Sequence, residues 1–172
     1  MSKTIFSRKL RSFLQLLIFI FFATSANSIS QTLEVVLKRT LTGHTEPINC
    51  IAFSPDGKML ASGSDAESLM SDSGKFEIIL WNVTDGKILT SLRGHKNPIL
   101  SLEFNNNGTR LVSSDSEGVI KIWDVKTFKE IMTIDGKDWI STIRFTPDNK
   151  FILGEFTFEK VVGLWDANNG SF

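Results

Sequence analysis

Apolar and polar positions alternate along the chain in short runs separated by turn residues. The clearest stretch begins at residue 99. Ile99, Leu100, Leu102 and Phe104 predict a buried strand, and Asn106-Asn107-Gly108 predicts a turn. Residues 111–113 are the next strand and Ser116-Glu117-Gly118 a second turn. Residues 119–123 alternate with period two, residues 124–127 turn the chain, and residues 130–134 form a fourth strand. No stretch after residue 26 sustains a helical period, so the pattern predicts an all-β fold built from antiparallel four-stranded sheets.

This pattern occurs three times. GHTEPINCIAFSPDGKMLASGSD is followed, after an insertion, by FEIILWNVTDGKILTSLR; GHKNPILSLEFNNNGTRLVSSDSEGVIKIWDVKTFKEIMTID is the second copy; GKDWISTIRFTPDNKFILGEFTFEKVVGLWDANNG is the third. Trp81, Trp123 and Trp165 are spaced 42 residues apart, as are Gly94 and Gly136. Self-similarity at that period marks a repeat architecture, in which each unit buries its apolar face against its neighbours. The repeats fall at about 33–81, 82–123 and 124–165. Residues 33–41, LEVVLKRTL, read as an outer strand placed ahead of the first Gly-His, for twelve strands in all.

The Gly-His openings (Gly43-His44, Gly94-His95), the Ser-Pro-Asp-Gly turn at 54–57 and the Trp-Asp closings (Trp123-Asp124, Trp165-Asp166) resemble the WD-repeat (WD40) family. The resemblance runs from Leu33 to about Asn169. It implies three four-stranded antiparallel blades of a β-propeller. It also implies a buried polar tetrad in each blade, made of the Gly-His histidine, a second-strand Ser or Thr, an acid in the following turn and the Trp. Such a network rigidifies a blade because every buried polar group finds a partner. On that reading repeat two supplies His95, Ser113 and Trp123, with Glu117 in the acid position. Repeat one supplies His44, Ser62 and Trp81, its acid blurred by the insertion. Repeat three has Lys137, Gly154 and Glu159 in the other positions and keeps only Trp165. Blade three is therefore expected to be the loosest.

Propellers close with roughly four to eight blades, so three make a partial propeller, an arc with two open sheet faces. Covering about 1,000 Å² of such surface returns on the order of 25 kcal/mol before association costs. A head-to-tail homodimer, giving a six-bladed ring, is one expectation. A truncated propeller without independent function is the other.

The N-terminus reads differently. Lys3, Arg8, Lys9 and Arg11 precede an apolar run at 13–23 and then the small residues ATSANSIS. That is the layout of a signal peptide cleaved after Ala26, with 27–32 a short linker and 33–172 the blades. The run is too short for a membrane span. The expectation is a secreted or periplasmic protein, with an uncleaved membrane anchor as the alternative. Those four basic residues have no acidic counterpart in 1–26, so a chain of zero formal charge leaves a net-acidic remainder of about −4. A net-acidic domain without a basic stripe argues against nucleic acid as a partner.

Candidate chemistry is sparse. The lone cysteine, Cys50, sits in the apolar strand INCIAF and reads as a packed small hydrophobe. The two histidines belong to the Gly-His elements. No His/Cys set has zinc spacing, and no phosphate loop or Gly-x-Ser-x-Gly appears. The insertion at 66–74, with Asp65, Glu67, Asp72 and Glu77 in and around it, lacks the phasing of a calcium loop. No cofactor, metal or catalytic residue is expected, and the chain is read as a non-enzymatic scaffold for a protein or peptide. Trp139 precedes the first strand of repeat three, at the position of Pro98 and Pro47, which in WD-repeat proteins often faces the rim of the central channel. Trp139, Glu46, Asn97 and Asp138 are the candidate partner contacts. The alternative is a ligand-binding or hydrolytic site formed only in an assembled channel, which needs convergent acids such as Glu46 and Asp138. Asn82, Asn107 and Asn169 begin Asn-x-Ser/Thr matches.

Overall fold

The computed structural model describes residues 38–65 and 76–172. The expected signal peptide and linker, residues 33–37 of the expected outer strand, and the insertion loop at 66–74 lie outside the described residues. Eleven strands, all antiparallel, form three sheets among those described. The first sheet runs β1 (Ile48–Phe53), β2 (Met59–Ser64), β3 (Glu77–Asn82), β4 (Ile88–Arg93) in that order. The second runs β5 (Ile99–Phe104), β6 (Arg110–Asp115), β7 (Val119–Asp124), β8 (Lys129–Asp135). The third has three strands, β9 (Ile140–Phe145), β10 (Phe151–Phe156) and β11 (Val161–Asp166), with β10 in the middle.

The expected outer strand at 33–41 is corrected where it is described: residues 38–47 carry no strand. The first sheet completes itself, because β4 fills the outer place beside β3. The segment instead lies against that sheet. Arg39 donates from Nη1 to the Thr84 carbonyl at 3.2 Å, and a Cβ on Gly43 would meet Ile88 at 2.7 Å and Trp81 at 3.0 Å.

One turn design links the first two strands of each sheet. In the first sheet the Ser54 hydroxyl donates to the Asp56 carboxylate at 2.7 Å, and Lys58 N–H donates to the same oxygen. Thr146, Asp148 and Lys150 repeat this in the third, and Thr109 donates to Asn107 in the second. Gly57, Gly108 and Asn149 supply the positive φ near 60–69° that closes the turn. These bonds hold the Asp56 and Asp148 carboxyls below their usual pKa, the hydroxyl contact first.

Two apolar clusters join the sheets face to face. Ala61, Ile78 and Leu80 of the first sheet meet Leu102, Phe104, Leu111 and Trp123 of the second. Val112, Ile120 and Ile122 on the opposite side of the second sheet meet Ile143, Phe145, Ile152 and Trp165 of the third. Hydrogen bonds cross both junctions. Asn49 Nδ2 donates to Ile99 O at 3.0 Å, Ser114 Oγ donates to Ile140 O at 3.1 Å, and Ile143 N–H donates to Ser101 Oγ at 3.2 Å. Glu103 accepts from Phe145 N–H and lies 3.6 Å from Arg144, while burial raises its pKa. Cys50 is packed between Gly63 and Ile99, its thiol pushed up to about 12 by burial.

Candidate functional site

The polar networks show what each sheet does with its histidine. In the second sheet His95 and Asp115 are both buried, with His95 Nδ1 at 2.9 Å from the Asp115 carboxylate and Nε2 at 2.7 Å from Ser113 Oγ. With Nδ1 protonated against the carboxylate, Nε2 accepts from the Ser113 hydroxyl, which in turn accepts from Trp123 Nε1–H at 2.9 Å. The second Asp115 oxygen accepts the N–H groups of Glu117 and Val119 at 3.1 and 3.0 Å, tying the turn to the network. Asp115 is thus the acid, and Glu117 contributes only its backbone N–H. The register explains the correction. Asp115 ends β6 opposite Ile99, facing the histidine, while Glu117 is already two residues into the turn.

Among the described residues the first sheet repeats the arrangement without an acid on the histidine. His44 Nε2 and Trp81 Nε1 both lie 2.7 Å from Ser62 Oγ. Ser64 holds the register position of Asp115, opposite Ile48, and its hydroxyl bonds the Glu77 backbone at both N–H (2.9 Å) and C=O (3.2 Å). His44 Nδ1 is left buried without a hydrogen-bond partner, and desolvation lowers the pKa of the ring. Glu77 turns its carboxylate to Arg93, 3.1 Å away.

In the third sheet Lys137, Gly154, Phe156 and Trp165 take the places of His95, Ser113, Asp115 and Trp123. Trp165 packs against aromatic rings instead of a hydroxyl, with Phe156 at 5.7 Å and Phe172 at 5.5 Å between centroids. A cavity of about 390 Å³ opens there.

WD40, described as WD domain, G-beta repeat, is the family model that matches this chain, over residues 35–67 and 86–124. These two segments resemble WD40 repeats. Relatives agree. Nuclear distribution protein nudF 1 of Talaromyces marneffei is 31% identical over 80% of this chain and 28% of its own length. Periodic tryptophan protein 2 homolog of Schizosaccharomyces pombe is 31% identical over 71% of this chain and 13% of its own. COMPASS component SWD3 of Saccharomyces cerevisiae is 26% identical over 78% of this chain and 42% of its own. The chain therefore spans less than half the length of these relatives. The matched segments hold strands of the first and second sheets, and the third sheet lies outside them, in keeping with its lost His, Ser and Asp.

The same relatives correct one expectation. Names that refer to nuclear distribution and to COMPASS point away from a secreted or periplasmic protein, and equally from an exported, membrane-anchored one. The basic-then-apolar layout of 1–26 is a pattern of composition, and it is outweighed by what the repeats resemble. Among the described residues no helix is long and apolar enough to cross a membrane.

The candidate partner contacts are dispersed. Trp139 is exposed and meets Phe158 edge to face at 6.1 Å. Asp138 lines the cavity of the third sheet, and its backbone seals against Gly118, where a Cβ would meet the Asp138 carbonyl at 2.1 Å. Glu46 is half-buried in the first sheet's approach, one carboxylate oxygen without a partner, and is not among the residues lining that cavity. Asn97 is half-buried before β5. Among the described residues no group of three or more His, Cys, Asp or Glu is placed to hold a metal. Sequence reading missed Asp115, Phe156 and Phe172. Asp115 was available from the strand register, but the edge-on contact of Phe172 with Trp165 depends on a turn that only the fold reveals.

Proposed function

We propose that this chain is a non-catalytic scaffold that binds protein partners through its WD40 blades, and that two copies associate head to tail. One contrast carries the reading. Leu102 and Phe104, on the face the second sheet turns to the first, are 3% and 5% exposed; their counterparts in the first sheet, Ile51 and Phe53, are 61% and 59% exposed. Ile120 and Ile122, facing the third sheet, are fully buried, while their counterparts there, Val162 and Leu164, are 66% and 44% exposed. The terminal sheets thus carry the two complementary halves of an interface that the chain already makes twice internally. Apolar surface of this kind drives association. His95, Ser113 and Asp115 are buried, and the Ser113 hydroxyl also accepts from Trp123, which withholds that set from a substrate and supports a non-catalytic role. A relative named as a component of COMPASS supports protein partners. Trp139, Asp138, Asn97 and Glu46, all ahead of first strands, are the proposed rim contacts.

Sedimentation across a concentration series tests self-association. A dimer at micromolar protein is the expected result, and a well-behaved monomer there sinks the head-to-tail reading. Cross-linking of the purified chain in a lysate, compared with a Trp139→Ala variant, tests the rim. Loss of defined adducts on substitution is expected, and an unchanged pattern removes Trp139 from the interface.

A further inference from the structure

We propose that the groove between the first and second sheets, at the turns joining their first two strands, binds the side-chain carboxamide of an asparagine or glutamine on a partner protein. The inference rests on the scaffold reading and names the chemistry of one contact. Both walls of the groove belong to sheets that already pack on each other. Strand pairing aligns the three turns residue for residue, because Phe53 with Leu60, Phe104 with Leu111 and Phe145 with Ile152 close the hairpins. Pro55, Asn106 and Pro147 are thus equivalent. So are Gly57, Gly108 and Asn149, and likewise Met59, Arg110 and Phe151.

The junction of the second and third sheets shows how such a gap is closed. Asn106 Nδ2 donates to the Pro147 carbonyl at 2.6 Å, and Asn106 N–H donates to Asn149 Oδ1 at 2.9 Å. Arg110 Nη1 reaches across to Ala167 O at 2.8 Å. At the junction of the first and second sheets each of those bonds has lost a donor or an acceptor. Pro55 has neither a carboxamide nor an N–H, Met59 replaces the guanidinium, and Gly108 offers no side-chain oxygen. A cavity of about 370 Å³ lies there instead, with Pro55 and Met59 on one wall and Asn106, Asn107 and Gly108 on the other.

The polar groups at this opening choose the occupant. Asn106 C=O is the counterpart of the Pro147 carbonyl that accepts a carboxamide in the other junction, and it accepts no hydrogen bond among the described residues. The Asn107 side-chain oxygen accepts both the N–H and the hydroxyl of Thr109, which leaves its NH2 group to donate. An incoming carboxamide answers both at once, its NH2 on the Asn106 carbonyl and its oxygen on the Asn107 NH2. A guanidinium or ammonium carries donors only, and a carboxylate meets the Asn106 carbonyl and the Asp56 carboxylate that also lines the groove. Polar groups taken from water without partners are costly, so this match selects among side chains more than it adds affinity. Pro55 and Met59 receive the methylene stem. Asn106 enters its own gap from a tight turn, and an exposed turn of the partner delivers the amide in the same way.

The test uses the full isotope-labelled chain and two capped pentapeptides, acetyl-Thr-Pro-Asn-Gly-Thr-N-methylamide and its Asp-for-Asn counterpart, followed by NMR. The asparagine peptide is expected to shift the Gly108 amide and the Asn107 NH2 saturably at millimolar concentration, and to leave the Asn149 and Gly170 amides unmoved. Asn107→Asp keeps the turn, since Asp56 and Asp148 hold that position in the other sheets, and removes the NH2 donor; it is expected to weaken binding about tenfold. Pro55→Asn supplies within the chain the carboxamide that Asn106 supplies to the other junction, and is expected to abolish the response with the circular dichroism unchanged. An unmoved Gly108 amide overturns the proposal, as does equal binding of the aspartate peptide or undiminished binding to either variant. Acetamide binding as tightly as the peptide overturns the assignment to a protein partner. Sedimentation and Trp139 cross-linking read other surfaces, so a chain that passes both and ignores the asparagine peptide defeats this site alone.

Discussion

At the scale of single residues the three blades form a graded series. His95 has partners on both ring nitrogens, His44 on one, and the third blade has no histidine in this position. Removing a member of a buried network strands the remaining groups, so the loss exceeds the worth of any one bond. His95→Ala leaves one Asp115 carboxylate oxygen and the Ser113 hydroxyl without their buried partner and is expected to destabilise by about 2–3 kcal/mol. His44→Ala removes one bond from the buried Ser62 hydroxyl, which keeps its Trp81 donor, and strands no acid, so it is expected to cost about 1 kcal/mol. Urea denaturation of the two variants checks the order, and equal losses would show that the acid adds nothing. The pH dependence follows from the same difference. Burial lowers the folded-state pKa of His44 below the ordinary histidine value of 6.5, against a smaller opposing pull from Glu77. Below 6.5 the unfolded chain therefore binds more protons than the folded one, and stability falls as pH drops from 6.5 towards the depressed value. Above 6.5 this contribution is fully present. The urea midpoint is expected to decline between pH 7 and 5.5, with a shallower decline in His44→Gln. Parallel curves for the two proteins would assign the decline to other groups.

Elements show how far the sequence could be read. Each strand of the second sheet was visible in residues 99–134, because one face alternates and glycine-bearing turns separate the runs. The turns at Ser54-Pro55-Asp56-Gly57 and its two counterparts were equally open, since their side chains bond their own backbone and need no distant partner. A Cβ at Gly57 would meet nothing within 4 Å, so Gly57→Ala isolates the backbone penalty of φ 69°. A loss of about 1 kcal/mol is expected in thermal melts, with Gly57→Asn losing less. A neutral alanine would mean that the turn changes type when the glycine is replaced. Long-range features were harder to see. LEVVLKRTL has the composition of a strand, yet residues 38–41 are not in one, because β4 already holds the outer place in the first sheet. Asp115 and Glu117 are both acids near a turn, and only the pairing of Ile99 with Asp115 separates them. The contacts of Trp165 with Phe156 and Phe172 join residues whose approach no local period encodes.

At the scale of the molecule the proposed self-association makes a specific forecast about which sheet faces meet. A head-to-tail interface is heterologous: the face bearing Ile51 and Phe53 on one copy receives the face bearing Val162 and Leu164 on the other. An isologous dimer pairs each face with its own twin. Charged substitutions separate the two arrangements. Ile51→Asp damages one half of every head-to-tail junction, and Val162→Asp damages the other half. Both residues are exposed, at 61% and 66%, so neither change disturbs the interior of the chain that carries it. Each variant alone is expected to sediment as a monomer, because burying an unpaired carboxylate costs several kcal/mol. Mixed in equal amounts, the Ile51→Asp chain still offers an intact Val162 face and the Val162→Asp chain an intact Ile51 face. One good junction is then available, and association should return at lower affinity than in the unaltered protein. An isologous pair through either face makes a different forecast: one of the two variants remains dimeric by itself, and mixing restores nothing. The mixing experiment therefore reads the polarity of the interface directly, from the same strand positions that the chain uses to pack its own sheets.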